Sequence, residues 1–159
     1  MSNIKFFLIA ASLILVDLFS KGYVEDFFQQ GDVVNILPFL SLTLAFNSGI
    51  AFSLLDFNNF FTDYVLLFIG LIITVFLVKL FKQEDNITSK VGLILIISGA
   101  LGNIIDRGMD GVVTDFLLFF VGNKPFFIFN FADAYISCGA ALYFGIELSN
   151  YISKKAQNE

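Results

Sequence analysis

Two polar stretches of this sequence hold the side chains that could do chemistry, and each adjoins a long apolar segment. They run from Gly102 to Phe116 and from Phe129 to Ser137. An ionised side chain near hydrocarbon is costly, so carboxylates at such positions usually face a cavity or a partner and mark a site. The aspartates of these stretches are therefore the first candidates for function.

Four aspartates lie in or beside the ends of the apolar segments, and their sequence neighbours separate them. Asp17 has Lys21 four residues further on, one helical turn away, which predicts an ion pair. Asp106 is followed by Arg107, whose fixed positive charge would hold a nearby carboxylate ionised. We expect both of these aspartates to brace the structure.

The other two aspartates, Asp115 and Asp133, have no basic neighbour in the sequence except Lys124, midway between them. If they approach each other in a water-poor site, their repulsion raises one pKa and leaves a single shared proton. One carboxylate can then take a proton from water as the water attacks a carbonyl carbon, while the protonated one polarises the carbonyl oxygen. This chemistry is that of a peptide hydrolase that needs no metal.

Each polar residue also has a purely structural interpretation. Asp133 could satisfy the exposed N–H groups at a helix start. Asn103 and Asn130 could join helices by hydrogen bonds, and Asn47 could be a turn residue. These interpretations do not explain why the residues concentrate on one membrane face.

The composition indicates an integral membrane protein. Of the 159 residues, 57% are hydrophobic and only 14% are charged, whereas a soluble domain of this length presents far more charge to water. The absence of His removes Ser/His and Cys/His catalytic pairs and the usual zinc ligand. The single Cys, Cys138, cannot form an intramolecular disulfide. Chemistry must therefore use carboxylates, Lys, Tyr or hydroxyls, and we expect no cofactor.

Four apolar segments must position these side chains, each of roughly 15 to 18 residues, near the lower limit for crossing hydrocarbon. The first begins after Lys5 like a secretory signal sequence, but Asp17 and Lys21 interrupt its end and no small-x-small cleavage site follows. We therefore expect it to remain as a first helix. The segments are Ile4 to Lys21, Asp63 to Leu80, Val91 to Ile105, and Ala134 to Tyr151.

Basic residues at the segment ends predict the orientation. If the segments alternate, the face with more Lys and Arg is cytoplasmic, both termini lie inside, and the ends that carry Asp17, Asp106 and Asp133 meet at the outer leaflet. The majority face has Lys5, Lys79, Lys82, Lys90, Lys154 and Lys155, and the other has Lys21, Arg107 and Lys124.

The two outer connections also show patterns. Residues from Asn35 to Leu55 alternate partially in polarity, with turn residues at Pro38 and around Asn47, which predicts a small sheet on the outer membrane surface. The segment from Val112 to Val121 contains an apolar run, Phe116 to Phe120, that is too short to cross the bilayer. This segment is typical of a strand or an interfacial segment. No domain boundary is evident, so we expect one domain, residues 1–159.

With these residues the chain resembles the lipoprotein signal peptidases, also called prolipoprotein or type II signal peptidases, of bacterial inner membranes. The resemblance covers nearly the whole chain and lies in five short blocks that occur in the family's order. Any one block is weak, whereas the ordered set at the segment ends is specific. The blocks are DLFSK from Asp17, NSGIAF from Asn47, GNIIDR from Gly102, VVTDF from Val112 and FNFAD from Phe129.

The resemblance implies an all-α membrane protein with four transmembrane helices, a small extracytoplasmic β-sheet, and an outer loop over the site within the stretch from Asp106 to Asp133. It implies an aspartic protease that cleaves diacylglyceryl-modified prolipoproteins just before the lipidated Cys, with Asp115 and Asp133 as the catalytic dyad. The other family positions, which support the site or contact substrate, are Asp17, Lys21, Asn47, Gly102, Asn103, Asp106, Arg107, Asn130 and Ala132.

The expected partners are the prolipoprotein and membrane lipid, without nucleic acid, and the expected state is a monomer in the inner membrane. Two positions depart from the family pattern. Ile50 stands where a small residue often occurs, and Pro125 lies farther from Asn130 than the usual proline. These changes affect the expected shape of the cavity and leave the dyad untouched.

Other function classes compete with this interpretation. In an ion or proton conductor the aspartates would be relay groups, but they cluster at one face instead of spanning the membrane depth. In an assembly subunit the polar blocks would bind a partner helix, and neutralising one Asp would give a graded loss. A Ser/Lys protease using Lys21 with Ser20 or Ser41 is less favoured, because Lys21 already has a partner in Asp17.

Overall fold

The computed structural model describes residues 3–49, 60–122 and 124–157, which form four helices and four strands. Polar residues end the apolar runs and turn residues separate the strands, as the sequence patterns predicted. In chain order the elements are α1 (Asn3–Phe27), β1 (Val33–Leu37), β2 (Leu40–Asn47), α2 (Phe60–Gln83), α3 (Ile87–Asp110), β3 (Val113–Val121), β4 (Lys124–Phe129) and α4 (Phe131–Gln157).

Three helices in the described part of the chain are long and apolar enough to cross a membrane. They are α1, the stretch Tyr64–Gln83 of α2, and α3. Large apolar side chains such as Phe19 and Phe68 are exposed on α1 and α2, as expected for surfaces that face lipid. The fourth helix, α4, is as long but more polar, since Glu147, Ser149 and Asn150 interrupt its second half.

The helices are longer than the apolar segments predicted. They contain 25, 24, 24 and 27 residues, so the polar residues expected just beyond the segments lie within the helices. Asp106 and Arg107, for example, belong to α3, which continues to Asp110. Hydropathy detects only the apolar part of a helix. At the end of α3 the polar side chains of Asp106 and Arg107 have partners within the protein.

Helix α3 is central, because α1, α2 and α4 all pack against it. Its contact with α4 is the closest, and glycines allow it. A Cβ added to Gly92 would lie 2.9 Å from the carbonyl oxygen of Gly139, and one added to Gly139 would lie 2.8 Å from the Cβ of Leu95. The two backbones therefore meet directly, which small residues at a helix interface allow.

The strands form one antiparallel sheet in the order β1-β2-β3-β4. The predicted turn at Pro38 separates β1 from β2, and the run from Val112 is a strand. Residues 50–55 of the predicted sheet, including Ile50, lie outside the described residues. The register places Ala45 of β2 opposite Asp115 of β3. The end of β2 is thereby brought to the start of β3.

The sequence analysis expected an outer loop over the site within the stretch from Asp106 to Asp133, and this expectation is wrong. Its described residues form the end of α3, the hairpin of β3 and β4, and the start of α4. The apolar run of β3 pairs on both sides, with β2 and with β4, which satisfies its backbone groups and makes it a strand.

A small hydrophobic cluster fixes the sheet to the helices. Val24 of α1, Leu44 of β2, and Phe116 and Leu117 of β3 are all buried in it. The ring of Phe116 also meets that of Phe131 edge to face, with centroids 5.3 Å apart. Phe116 follows Asp115 directly and Phe131 lies in the first turn of α4, so this packing sets β3 against the helix start that carries Asp133.

Candidate active site

Asp115 lies in β3, with only 5% of its surface exposed. Both of its carboxyl oxygens accept hydrogen bonds from asparagine amides. Asn47 Nδ2, at the end of β2, donates to Oδ2 over 3.1 Å, and Asn130 Nδ2 donates to Oδ1 over 2.7 Å. Because a buried carboxyl group without partners is strongly unfavourable, these two donors hold Asp115 in place.

Asp133 lies in the first turn of α4, where it forms a reciprocal cap with Asn130. The backbone N–H of Asp133 donates to Asn130 Oδ1 over 2.9 Å, and the backbone N–H of Asn130 donates to Asp133 Oδ2 over 3.3 Å. This is the geometry of a capping box. The structural interpretation of Asp133 as a helix-start residue is therefore confirmed. It accounts for one carboxyl oxygen only, since Oδ1 accepts from Asn103 Nδ2 over 2.9 Å.

Asn130 joins the two carboxyl groups. It is fully buried, donates from its amide to Asp115, and both donates to and accepts from Asp133. The two aspartates are close enough for the charge of Asp133 to act on Asp115. This effect on the pKa of Asp115 is the one that the sequence analysis expects of two neighbouring aspartates, and the shared proton stays a prediction.

Asn103 connects Asp133 to a buried cation, Lys21. Its ammonium contacts Asp17 Oδ2 at 2.9 Å, Asp106 Oδ2 at 3.1 Å and Asn103 Oδ1 at 2.8 Å, with 2% of its surface exposed. The ion pair predicted between Asp17 and Lys21 is confirmed. Asp106 has Lys21 as an ion-pair partner; adjacent residues of a helix do not face each other, and Arg107 reaches the chain after β2.

Arg107 instead fixes the chain that follows β2. Its Nη2 donates to the carbonyl oxygens of Asn47, over 3.1 Å, and Gly49, over 2.8 Å. The backbone N–H of Gly49 donates to Asn47 Oδ1 over 3.0 Å, so the amide of Asn47 points its NH₂ at Asp115. Asp106 Oδ2 accepts from the backbone N–H of Thr114 over 2.9 Å, which anchors the start of β3.

Gly102 and Ala132 allow close packing around Asp17. A Cβ on Gly102 would lie 2.6 Å from Asp17 Oδ2, so only glycine leaves room for this carboxylate. Ala132 is fully buried, and its backbone N–H donates to Asp17 Oδ1 over 2.9 Å. Asp17 thus bonds a free N–H at the start of α4, as an acidic group at a helix N-terminus does.

The electrostatics of Asp115 favour its protonated form. The pKa of Asp115 is raised to about 7, mainly by burial and secondly by the charge of Asp133. The hydrogen bonds from Asn47 and Asn130 and the charge of Lys21 act in the opposite direction. A carboxyl group with this pKa carries a proton for much of the time at neutral pH. The arrangement can therefore supply one acid and one base at the same position.

The structure brings every predicted site residue into this network, and it adds two that the sequence analysis missed. Thr114 is buried, and its hydroxyl bonds Glu25 of α1 in addition to the backbone contact with Asp106. Its position beside Asp115 in the VVTDF block was the only signal available. Glu25 had none, because it is an exposed acidic residue near a helix end.

Comparisons with known proteins agree with this geometry. A lipoprotein signal peptidase of Neisseria meningitidis serogroup C is 38% identical over 99% of this chain and 95% of its own length. The lipoprotein signal peptidase of Francisella tularensis subsp. novicida is 37% identical over 97% of this chain and 96% of its own length.

Solved structures are similar over the same extent. One described as a bacterial membrane enzyme has a TM-score of 0.87 at 30% identity and covers 96% of this chain and 92% of its own. A second with the same description has a TM-score of 0.79 at 31% identity, covering 92% and 94%. The family model described as signal peptidase (SPase) II matches residues 9–148. The chain therefore belongs to the signal peptidase II family.

Proposed function

We propose that this protein is an aspartic endopeptidase that removes the signal peptide from diacylglyceryl-modified prolipoproteins, cleaving just before the lipidated Cys. The observation that carries this proposal is the pair of carboxyl groups, Asp115 buried and Asp133 half-buried, joined by Asn130. Membership of the signal peptidase II family supplies the substrate class.

The reaction uses the pair with one shared proton. The ionised carboxylate takes a proton from water as the water oxygen bonds to the scissile carbonyl carbon, and the protonated carboxyl group gives its proton to the carbonyl oxygen. When the tetrahedral intermediate collapses, the C–N bond breaks, the carboxyl group that took the proton from water gives it to the nitrogen of the lipidated Cys, and a hydroxyl of the intermediate returns a proton to the other carboxylate. The products are a carboxylic acid and an amine, and the pair returns to its singly protonated state.

The surrounding groups keep this pair ready for reaction. Asn47, Asn103 and Asn130 donate to its oxygens and so orient both carboxyl groups before substrate arrives. We propose that Asp17, Lys21, Gly102, Asp106, Arg107 and Ala132 support these donors or contact substrate. The chemistry needs no cofactor, because water is the nucleophile and both proton transfers are made by aspartates.

We further propose that all four helices cross the inner membrane, with both termini in the cytoplasm. The packing of α4 on α3 supports this. Gly99 lies against Ile136, whereas Gly92 lies against Tyr143, so α4 runs antiparallel to a candidate membrane helix along its length. The basic residues Lys154 and Lys155 near the end of α4 favour a cytoplasmic position. The site then lies near the outer leaflet.

This placement matches the substrate. The two acyl chains of the lipidated Cys lie in the outer leaflet and the signal helix crosses the bilayer, so the scissile bond is held at the depth of the site. Anchoring in lipid therefore does much of the positioning that a soluble protease achieves with a binding cleft. The enzyme acts as a single domain, residues 1–159, and as a monomer.

The direct test is cleavage of a diacylglyceryl-modified prolipoprotein by the purified protein in detergent. Asp115→Asn and Asp133→Asn each remove one proton carrier, and we expect each to reduce kcat/KM at least about 1,000-fold. Asp26→Asn is the matched control, because Asp26 is an exposed aspartate of α1. It should cleave at the parent rate.

The fold of each variant is checked by its thermal unfolding in the same detergent. A near-parent rate for either dyad variant would disprove the assignment of the dyad. An inactive parent on a verified substrate would disprove the peptidase function itself.

A further inference from the structure

The three asparagines of the site share one arrangement. Each turns its amide NH₂ toward a carboxyl group of the dyad, while a hydrogen-bond donor occupies its amide oxygen. For Asn47 this donor is the backbone N–H of Gly49 at 3.0 Å, and for Asn130 it is the backbone N–H of Asp133 at 2.9 Å. For Asn103 it is the ammonium of Lys21 at 2.8 Å.

The donor decides which end of each amide faces the dyad. An asparagine amide has an oxygen that accepts and a nitrogen that donates, with nearly the same shape. An ammonium can only donate, so Lys21 must face Asn103 Oδ1 and the NH₂ must face Asp133. An NH₂ group that donates to a carboxyl group favours the ionised form of that group.

Lys21 is itself held rigidly. Its ammonium forms ion pairs with Asp17 and Asp106 and donates a hydrogen bond to Asn103. Asp17 is bonded to the backbone at the start of α4, and Asp106 is bonded to the backbone of Thr114. The ammonium is therefore fixed relative to both elements that carry the dyad, α4 and β3.

We propose that Lys21 is a positioning residue for the reaction: by occupying the amide oxygen of Asn103 it directs the amide NH₂ to Asp133 and holds that carboxyl group in place. This inference rests on the proposed function, because it takes Asp115 and Asp133 as the catalytic pair. It assigns to Lys21 more than the ion pair with Asp17 that braces the helices.

The charges around the pair predict a measurable signature. Burial and Asp133 raise the pKa of Asp115, and the charge of Lys21 lowers it. Loss of this positive charge therefore moves the pH–rate profile of the pair to higher pH. Among the described residues, the charge of Arg107 from α3 also acts on Asp133, and Asp17 from α1 and Asp106 from α3 lie against Lys21.

The experiment measures kcat and KM for prolipoprotein cleavage between pH 5 and 9 in variants of Lys21 and Asn103. Lys21→Met removes the charge and all donors, and we expect kcat to fall about 100-fold, KM to stay within about twofold, and the profile to move up by about one pH unit. Lys21→Arg keeps the charge and N–H donors, so its profile should stay at the parent position with a smaller loss in kcat. Lys5→Met, at an exposed lysine of the same helix, is the control.

Lys21→Met leaves Asp17 and Asp106 buried without their cation and could fail to fold. Asn103→Leu avoids this problem, because it leaves Lys21 with Asp17 and Asp106 and adds no charge, while it removes the donor to Asp133. We expect the same upward shift of the profile in this variant. If Asn103→Leu, and Lys21→Met where it folds, lose rate without any shift, Lys21 is a structural brace only and the inference is overturned.

Asp133→Asn, measured in parallel, separates this inference from the function on which it rests. If that variant cleaves normally, the dyad is wrong and the role of Lys21 falls with it. If it is inactive while the Lys21 and Asn103 variants keep the parent profile, the proposed function stands and the inference alone fails.

Discussion

Asp115 makes the pH dependence of the enzyme predictable. Burial and the charge of Asp133 together raise the pKa of Asp115 to about 7. The reaction needs the pair with one proton. As pH rises through about 7 that proton leaves and the acid is lost, and at low pH a second proton binds and the base is lost. We therefore expect a bell-shaped profile of kcat/KM whose alkaline limb lies near pH 7.

The profile is measured on purified protein in a detergent that carries no charge. Asp26→Asn serves as the control, and its profile should superimpose on that of the parent. A rate that stays constant up to pH 9 would contradict a shared proton of this pKa.

The pairing of side chains shows what sequence could and could not predict. The contact of Asp17 with Lys21 followed from a spacing of one helical turn. The contact of Lys21 with Asp106 could not be predicted, because it joins two helices and depends on how they pack. The amide directions of Asn47, Asn103 and Asn130 depend on donors from other segments for the same reason. Partners within one helix could thus be predicted from spacing, whereas partners on other segments could not.

Among the secondary structure elements, α3 contributes most to the site. Its last three turns carry Gly102, Asn103, Asp106 and Arg107, which reach α1, α4, β3 and the chain after β2. A change in the packing of this helix end therefore affects all parts of the site together.

Gly102→Ala tests this role of α3. The added Cβ would lie 2.6 Å from Asp17 Oδ2, so the carboxylate must move away from Lys21 and from the backbone of Ala132. Disturbing a buried ion pair in this way destabilises by about 3 kcal/mol. We expect a lower temperature of unfolding in detergent and at least a tenfold loss of kcat/KM.

Gly108→Ala is the matched control on the same helix. Its Cβ would meet only Leu67 Cδ1, at 3.6 Å, an ordinary contact. Since alanine favours a helix over glycine by about 0.5–1 kcal/mol, this variant should be as stable as the parent or slightly more stable, with parent activity. Equal behaviour of the two variants would show that the space beside Asp17 is not needed.

The ends of the elements were harder to predict than the elements themselves. The turn at Pro38 and the start of α4 have local signals, the latter because Asn130 and Asp133 form a capping box. β3 lacks one, since its first six residues are all buried and show no alternation. Its assignment as a strand required its pairing partners β2 and β4, which lie elsewhere in the sequence.

The proposed arrangement of the chain in the membrane rests on α3 and α4 together. α4 is not among the helices that hydropathy identifies as candidate membrane helices, yet it lies along α3, from Gly99 beside Ile136 to Gly92 beside Tyr143. A helix packed antiparallel on a membrane-spanning helix over this length is expected to pass through the same depth. Its polar groups are tolerated where they face protein. Four crossings would place both chain termini on one side, as we propose.

Cysteine labelling in intact cells tests this topology. In a Cys138→Ser background, single cysteines replace three exposed residues: Gln30 between α1 and β1, Thr88 at the start of α3, and Ser153 near the end of α4. An impermeant maleimide should label Gln30→Cys in intact spheroplasts, and Thr88→Cys and Ser153→Cys only after the membrane is opened, because the sheet lies outside and both helix ends lie inside. Labelling of Ser153→Cys in intact spheroplasts, with Thr88→Cys protected, would mean that α4 does not cross and that only three helices span the membrane.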